Sequence, residues 1–101
     1  MMNDFTLIIP TFNRSHHLAA LINYLYLSKA SFDILILDSS TFDEADKNKA
    51  LVEDYSDLSI KLVNYNEDIK FKLKLIDGLK LIETEYCAFC ADDDIVIPDA
   101  I

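Results

Sequence analysis

Apolar and polar positions fall along this chain in blocks. Residues 5–9, "FTLII", are a short apolar run closed by Pro10, the pattern of a buried strand. The polar stretch "TFNRS" follows as a loop. Residues 16–27 then place Leu18, Leu21, Ile22 and Leu25 at i, i+3, i+4 and i+7, which predicts an amphipathic helix with Asn13 or Ser15 as its N-cap. "FDILILD", residues 32–38, reads as a second buried strand that ends on an aspartate. "SSTFDEADKNKALVEDYS" is polar and then helical, and "LSIKLVNYN", residues 58–66, is a third strand. In "IKFKLKLI", residues 69–76, apolar residues alternate with lysines like a strand, whereas Leu75, Leu79 and Ile82 repeat like a helix. A helix to about residue 83 is expected, because consecutive parallel strands need a crossover and no other segment is available to supply it. "EYCAFCA", residues 85–91, is the fourth strand.

The predicted order is therefore β-α-β-α-β-α-β. The strands are continuous apolar runs, which indicates a parallel sheet covered on both faces. The expected fold class is α/β, a Rossmann-like three-layer sandwich with a mainly parallel four-stranded sheet. At 101 residues and 51% apolar composition, the chain is expected to be one small domain, residues 1–101.

In such a sheet ligands bind beyond the carboxyl ends of the strands. Three of those ends are polar here: Thr11, Asn13 and Arg14 after the first strand, Asp38, Ser39 and Ser40 after the second, and Asp92, Asp93 and Asp94 after the fourth. Parallel strands share one direction, so these groups should gather on one edge. Three consecutive carboxylates repel one another, by about 4 kcal/mol for two charges about 4 Å apart at an effective dielectric of about 20. Either they stay in water or they hold a cation. The chain has one glycine, Gly78, and no glycine-rich phosphate loop. Negative charge on a bound phosphate must then be met differently, and Mn²⁺ or Mg²⁺ on the aspartates is the expected cofactor, because both ions prefer oxygen ligands.

Charge and composition narrow the partners. The net charge is −9, which argues against nucleic-acid backbone and against an anionic membrane surface as partners. No apolar run reaches the 18 or so residues of a membrane span, and the N-terminus lacks a signal-peptide pattern, so a cytoplasmic location is the expectation. Cys87 and Cys90 have CxxC spacing, but no second ligand pair is spaced for zinc. They read as two reduced, buried cysteines behaving as small apolar residues. His16 and His17 read as surface or capping residues; Lys70, Lys72 and Lys74 could reach a diphosphate, but a solvated face is the favoured reading.

"LIIPTFNR", "ILDSS" and "TEYCAFCADDDIVIPDAI", in that order and spacing, resemble the nucleotide-binding half of a family 2 glycosyltransferase with the GT-A fold. The family's first strand ends in P-[TS]-[FY]-N, its second in D-D-G-S or a variant, and its fourth leads into a DxD motif followed by an apolar run and a proline. The resemblance implies that Thr11 lies against uracil and ribose, that Asp38 accepts a hydrogen bond from the base, and that Asp92 is the carboxylate near the ribose. It implies Asp93 as the metal ligand, or Asp94 if the register shifts by one. Asn13, Arg14 and Ser39 join the nucleotide-binding set. Leu37 and Ser39 stand where the family has the first Asp and the Gly of D-D-G-S. The family continues well beyond Ile101 with the half that forms the acceptor site and supplies a general base. The expectation here is a truncated donor-binding half with no catalytic base of its own. The implied donor is a nucleotide-diphosphate sugar, UDP-linked, whose sugar passes to an acceptor hydroxyl.

Two readings from other classes compete. A receiver-like signalling domain also alternates β and α, although strands one and three here lack its acidic residues. A non-catalytic binding or assembly module is the other, with a homodimer formed through surface that truncation leaves open.

Overall fold

The alternation read from the apolar runs is the one the backbone adopts. A computed structural model describes residues 4–92. They form β1 (Phe5–Thr11), α1 (Ser15–Leu27), β2 (Asp33–Asp38), α2 (Phe42–Asp54), β3 (Ile60–Asn64), α3 (Phe71–Lys80) and β4 (Tyr86–Phe89). The four strands make one sheet in the order β3-β2-β1-β4, and every pairing is parallel. This is the doubly wound order, in which the chain reverses direction across the sheet between β1 and β4. A receiver-like domain places β1 between β2 and β3 instead, and the observed order sets that reading aside.

Side chains alternate across each strand, and both faces of the two central strands are apolar. Leu7 and Ile9 of β1, with Ile34 and Ile36 of β2, pack beneath Leu18, Leu21, Ile22 and Leu25 of α1, with Leu51 and Val52 of α2 at the margin. On the other face Ile8, Leu35 and Leu37 meet Leu75 of α3 and, just beyond it, Leu81 and Ile82. Burying one such aliphatic side chain contributes about 1.5–3 kcal/mol, so the sheet and the first layer of helices hold each other in register.

Pro10 lies inside β1, opposite Leu37, instead of closing the strand. The carbonyls of Asp4 and Ile8 face β4, where they accept from Tyr86 and Cys90, while that of Thr11 faces β2 and accepts from Ser39. Pro10 therefore turns its donorless nitrogen toward β4, whose pairing with β1 ends at Ile8–Phe89. The proline sits in a central strand at the one level where its missing N–H has no paired neighbour.

Helix α3 is the crossover expected between the third and fourth strands, although it stops at Lys80. Its last turn tightens as Leu81 N donates to Gly78 O and Ile82 N to Leu79 O. The buried side of α3 consists of Lys74 and Gly78, one turn apart. A Cβ on Gly78 would stand 2.5 Å from Leu37 Cδ1, so this glycine is what lets α3 lie so close to β2.

Two other expectations change. Cys90 is buried as expected, but Cys87 is exposed. Strand β4 is an edge strand with all four residues exposed, because no described element covers it. The N-cap position of α1 is Arg14, and neither Asn13 nor Ser15 makes a side-chain cap. Ser15 instead receives help from α2: its N donates to Glu44 Oε1 at 3.4 Å and its Oγ to Glu44 Oε2 at 2.8 Å. The Ser15 hydrogen bond, together with Lys47, holds the Glu44 carboxyl below its ordinary range.

Gly78→Val should lower stability by about 2 kcal/mol in urea denaturation. The added methyls must displace the fully buried Leu37, and a β-branched residue gives back little helix propensity.

Candidate functional site at the carboxyl edge of the sheet

The loops after β1, β2 and β4 meet at one edge, and several polar residues are buried there, while Asn13 and Arg14 stay exposed at the rim. Thr11, Asp38, Ser39, Ser40 and Asp92 are all buried. A polar group so placed must find partners, because an unpaired one costs about 1–3 kcal/mol. The partners form two linked clusters.

The first cluster bridges β1 and β4 at the point where the chain reverses across the sheet. Thr11 Oγ1 donates to Asp92 Oδ2 at 2.7 Å. Arg14 Nη1 donates to Asp92 Oδ1 at 3.3 Å. Asp92 is 5% exposed, while the Arg14 side chain is about half exposed, at 49%. Both Asp92 oxygens are thus held from the end of β1 and the loop after it.

The second cluster joins the loops after β1 and β2. Asn13 adopts a left-handed backbone, φ 52°, which asparagine tolerates better than most residues. That turn lets its N donate to Ser40 Oγ at 2.9 Å and its Oδ1 accept from Thr41 N at 2.8 Å and Thr41 Oγ1 at 3.0 Å. Asp38, 1% exposed, accepts from Ser40 N at 2.9 Å through Oδ1 and from Asn48 Nδ2 at 2.9 Å through Oδ2. Its carboxylate faces inward and fixes the loop. An external donor would have to use its remaining lone pairs.

Lys74 links the two clusters, and it corrects the reading of the α3 lysines as a solvated face. It is 3% exposed, and its Nζ donates to Ser39 Oγ at 2.8 Å and to Thr11 O at 3.3 Å. Burial pushes its amine pKa down, against the pull of Asp38 and Asp92. The alternation in "IKFKLKLI" makes Lys70, Lys72 and Lys74 look alike, and the fold buries only Lys74. In a helical register Lys74 and Gly78 share a face, and a glycine on that face was the available signal of a close approach. Asn48, in the polar block before Leu51, was also missed.

Of the residues picked out beforehand, Thr11, Asn13, Arg14, Asp38, Ser39 and Asp92 come together at this edge. Asp93 and Asp94 lie outside the described residues. Among the described residues no group of three or more histidine, cysteine, aspartate or glutamate side chains gathers to hold a metal. His16 is exposed and His17 half-buried, their rings 4.1 Å apart at the start of α1. A cavity of about 230 Å³ lies at the opposite end of the strands, lined by residues including Thr6, Asp33, Ser59 and Glu83, away from the converging loops.

The fold and this edge can be set beside known proteins. No family model matches the sequence, and no curated protein matches it significantly. Solved structures do match. A mannosyltransferase from Pyrobaculum calidifontis, PcManGT, solved in complex with GDP-Man and Mn²⁺, superposes with a TM-score of 0.79 at 20% identity, over 94% of this chain and 29% of that one. S. aureus TarS, as residues 1–349, gives a TM-score of 0.73 at 26% identity, over 98% of this chain and 30% of that one. A second TarS structure gives 0.73 at 24%, over 96% and 18%. The chain spans less than a third of the length of these structures. It has the α/β fold of a glycosyltransferase N-terminal part, as its motifs imply.

Asn48→Ala should cost about 2 kcal/mol of stability in chemical denaturation, since it strips a buried carboxylate of a charge-assisted hydrogen bond. Lys74 has a pH signature as well. Its lowered pKa means that the unfolded chain holds the proton more tightly than the folded one. Stability then rises with pH between the folded pKa and the ordinary value of 10.5. The raised pKa of the Tyr65 hydroxyl acts in the opposite sense above 10.0. The measurement is therefore the difference between wild type and Lys74→Met, whose stability profile should lack the alkaline rise.

Proposed function

We propose that this chain is the donor-binding part of a glycosyltransferase and holds a nucleotide-diphosphate sugar at the carboxyl edge of the sheet, together with a divalent cation. The observation that carries this reading is the buried polar seam from Asp38 through Ser39, Lys74 and Thr11 to Asp92, placed where β1 and β4 diverge. Dinucleotide- and nucleotide-binding sheets use that position. The likeness to a mannosyltransferase solved with GDP-Man and Mn²⁺ supports both a nucleotide-sugar donor and a metal.

Each residue has a part in this reading. Thr11 and Asp92, joined at 2.7 Å, form the wall beside the ribose and base. Arg14, half exposed, reaches toward the anionic ligand from the rim of the site. Asp38 and Asn13 act chiefly by fixing the loops that Ser39 and Ser40 occupy. Asp92 is already engaged by Thr11 and Arg14, so the ligand role falls on Asp93 and Asp94. Carboxylate oxygens in sequence fit a hard cation such as Mn²⁺ or Mg²⁺. When bound, the cation would offset charge on the diphosphate as a Lewis acid. The base attached to that diphosphate is proposed to be uracil, with guanine the alternative.

The exposed apolar residues Phe71, Leu73, Ile76 and Leu79 of α3, with Tyr86 and Phe89 of β4, favour a second reading as an assembly surface that makes a homodimer. Concentration-dependent dimerisation in sedimentation velocity supports that reading; a monomer at every concentration removes it. Among the described residues no helix is long and apolar enough to cross a membrane.

Calorimetric titration of UDP and of GDP, with Mn²⁺ and then with EDTA, tests the main proposal. Metal-dependent binding should appear for one of the two nucleotides and weaken at least about tenfold in Asp93→Ala, the loss of one ligand to a metal that bridges to phosphate. Binding that survives EDTA unchanged, or no binding by the folded protein, defeats it.

A further inference from the structure

We propose that Lys74 is the fixed counter-charge of the donor site: it sets the net charge of the edge, so that the site admits an anionic diphosphate with its metal instead of collecting bare cations. The inference rests on the donor-site reading above and goes beyond it by assigning a specificity role to a residue on the opposite face of the sheet.

The chain carries a net charge of −9, and its single glycine lies in α3, so no glycine-rich loop can cradle phosphate with backbone N–H groups. The buried carboxylates Asp38 and Asp92 stand at this edge, and Asp93 and Asp94 follow in sequence. An anionic ligand would meet net repulsion there unless a cation were built in. Two described cations reach the two clusters. Arg14 is half exposed, so solvent screens it. Lys74 is not screened in this way, because it is 3% exposed and close enough to both buried carboxylates for each to act on its charge.

Geometry makes the placement specific. Lys74 rises from α3 on the far face, and its Nζ arrives between the carbonyl of Thr11 and the hydroxyl of Ser39. That reach depends on Gly78, one turn later, where α3 touches Leu37 without a Cβ. The same carbonyl of Thr11 also accepts from Ser39 N at 3.1 Å, so the two loops are already tied by backbone without the lysine. A lysine is costly to bury. A structural tie alone would be met at lower cost by a neutral donor, and the charge is what remains to be explained.

A counter-charge and a clamp differ in a measurable way. Removing a clamp loosens the site and weakens every ligand. Removing a positive charge makes the site more negative, which strengthens the binding of a bare cation and weakens that of an anion. The experiment compares wild type with Lys74→Met, Lys74→Gln and Lys74→Arg, each first shown to be folded by circular dichroism. Mn²⁺ alone is titrated first, then UDP and GDP at saturating Mn²⁺. Lys74→Met and Lys74→Gln should bind Mn²⁺ about three- to tenfold more tightly, as expected when one positive charge is removed from an acidic edge. Both should bind the nucleoside diphosphate at least about tenfold more weakly, and Lys74→Arg should stay within about twofold of wild type. Lys74→Gln keeps a hydrogen-bond donor without charge, so wild-type behaviour in that variant overturns the proposal. A parallel fall in both affinities, or no change in either, overturns it as well. If wild type binds Mn²⁺ but neither nucleotide, the donor-site reading fails while the Mn²⁺ arm still decides the role of the charge. Wild type that binds neither Mn²⁺ nor nucleotide overturns both.

Discussion

Pairing of β1 on both of its edges is the constraint on which the rest of this structure depends. One edge carries β2 in register over six residue pairs, the other carries β4 over four. A strand held in this way has no freedom to shift, since a slip of one residue would turn Ile8 and Ile9 to the wrong layers. The fixed register brings Thr11 opposite Asp38, and beyond β4 it brings Asp92 to Thr11. The polar edge is therefore a product of apolar packing further down the same strands. Its side chains meet because Ile34, Ile36 and their neighbours have nowhere else to go.

The buried edge shows how a chain with one glycine organises a polar site. Loops rich in glycine shape themselves through backbone freedom, and these loops are shaped by side chains instead. Asn13 takes a left-handed turn and ties itself to Ser40 and Thr41. Asp38 is held by Ser40 and Asn48, and Glu44 serves the first turn of α1 from the neighbouring helix. Apart from the local bond from Ser40 N to Asp38, these bonds join different segments, so the edge forms only once α1, α2 and the sheet are assembled. Such a site is expected to be lost cooperatively with the fold, not by local fraying.

Much of this was legible beforehand, for physical reasons. Continuous apolar runs define strands buried on both faces, and Leu18, Leu21, Ile22 and Leu25 repeat with the period of a helix and are all buried in α1. Parallel direction alone brought the polar strand ends to one edge. What stayed hidden depended on tertiary approach. Lys74 reads as solvated until α3 is known to touch β2 through Gly78. Cys87 reads as buried until β4 is seen to be an edge strand. Asn13 and Ser15 were natural caps by type, but their bonds go to α2 and the loop before it, contacts that no local pattern records.

Pro10 gives the edge a property that no side chain there supplies. A parallel ladder tends to run on as long as donors alternate with acceptors. At Pro10 a donor is missing on the side that faces β4, two residues past the Ile8–Phe89 pair. The zipper between the two strands has a stop written into its backbone. The wedge where β1 and β4 part therefore begins at a feature of the covalent chain and not at the polar residues that line it.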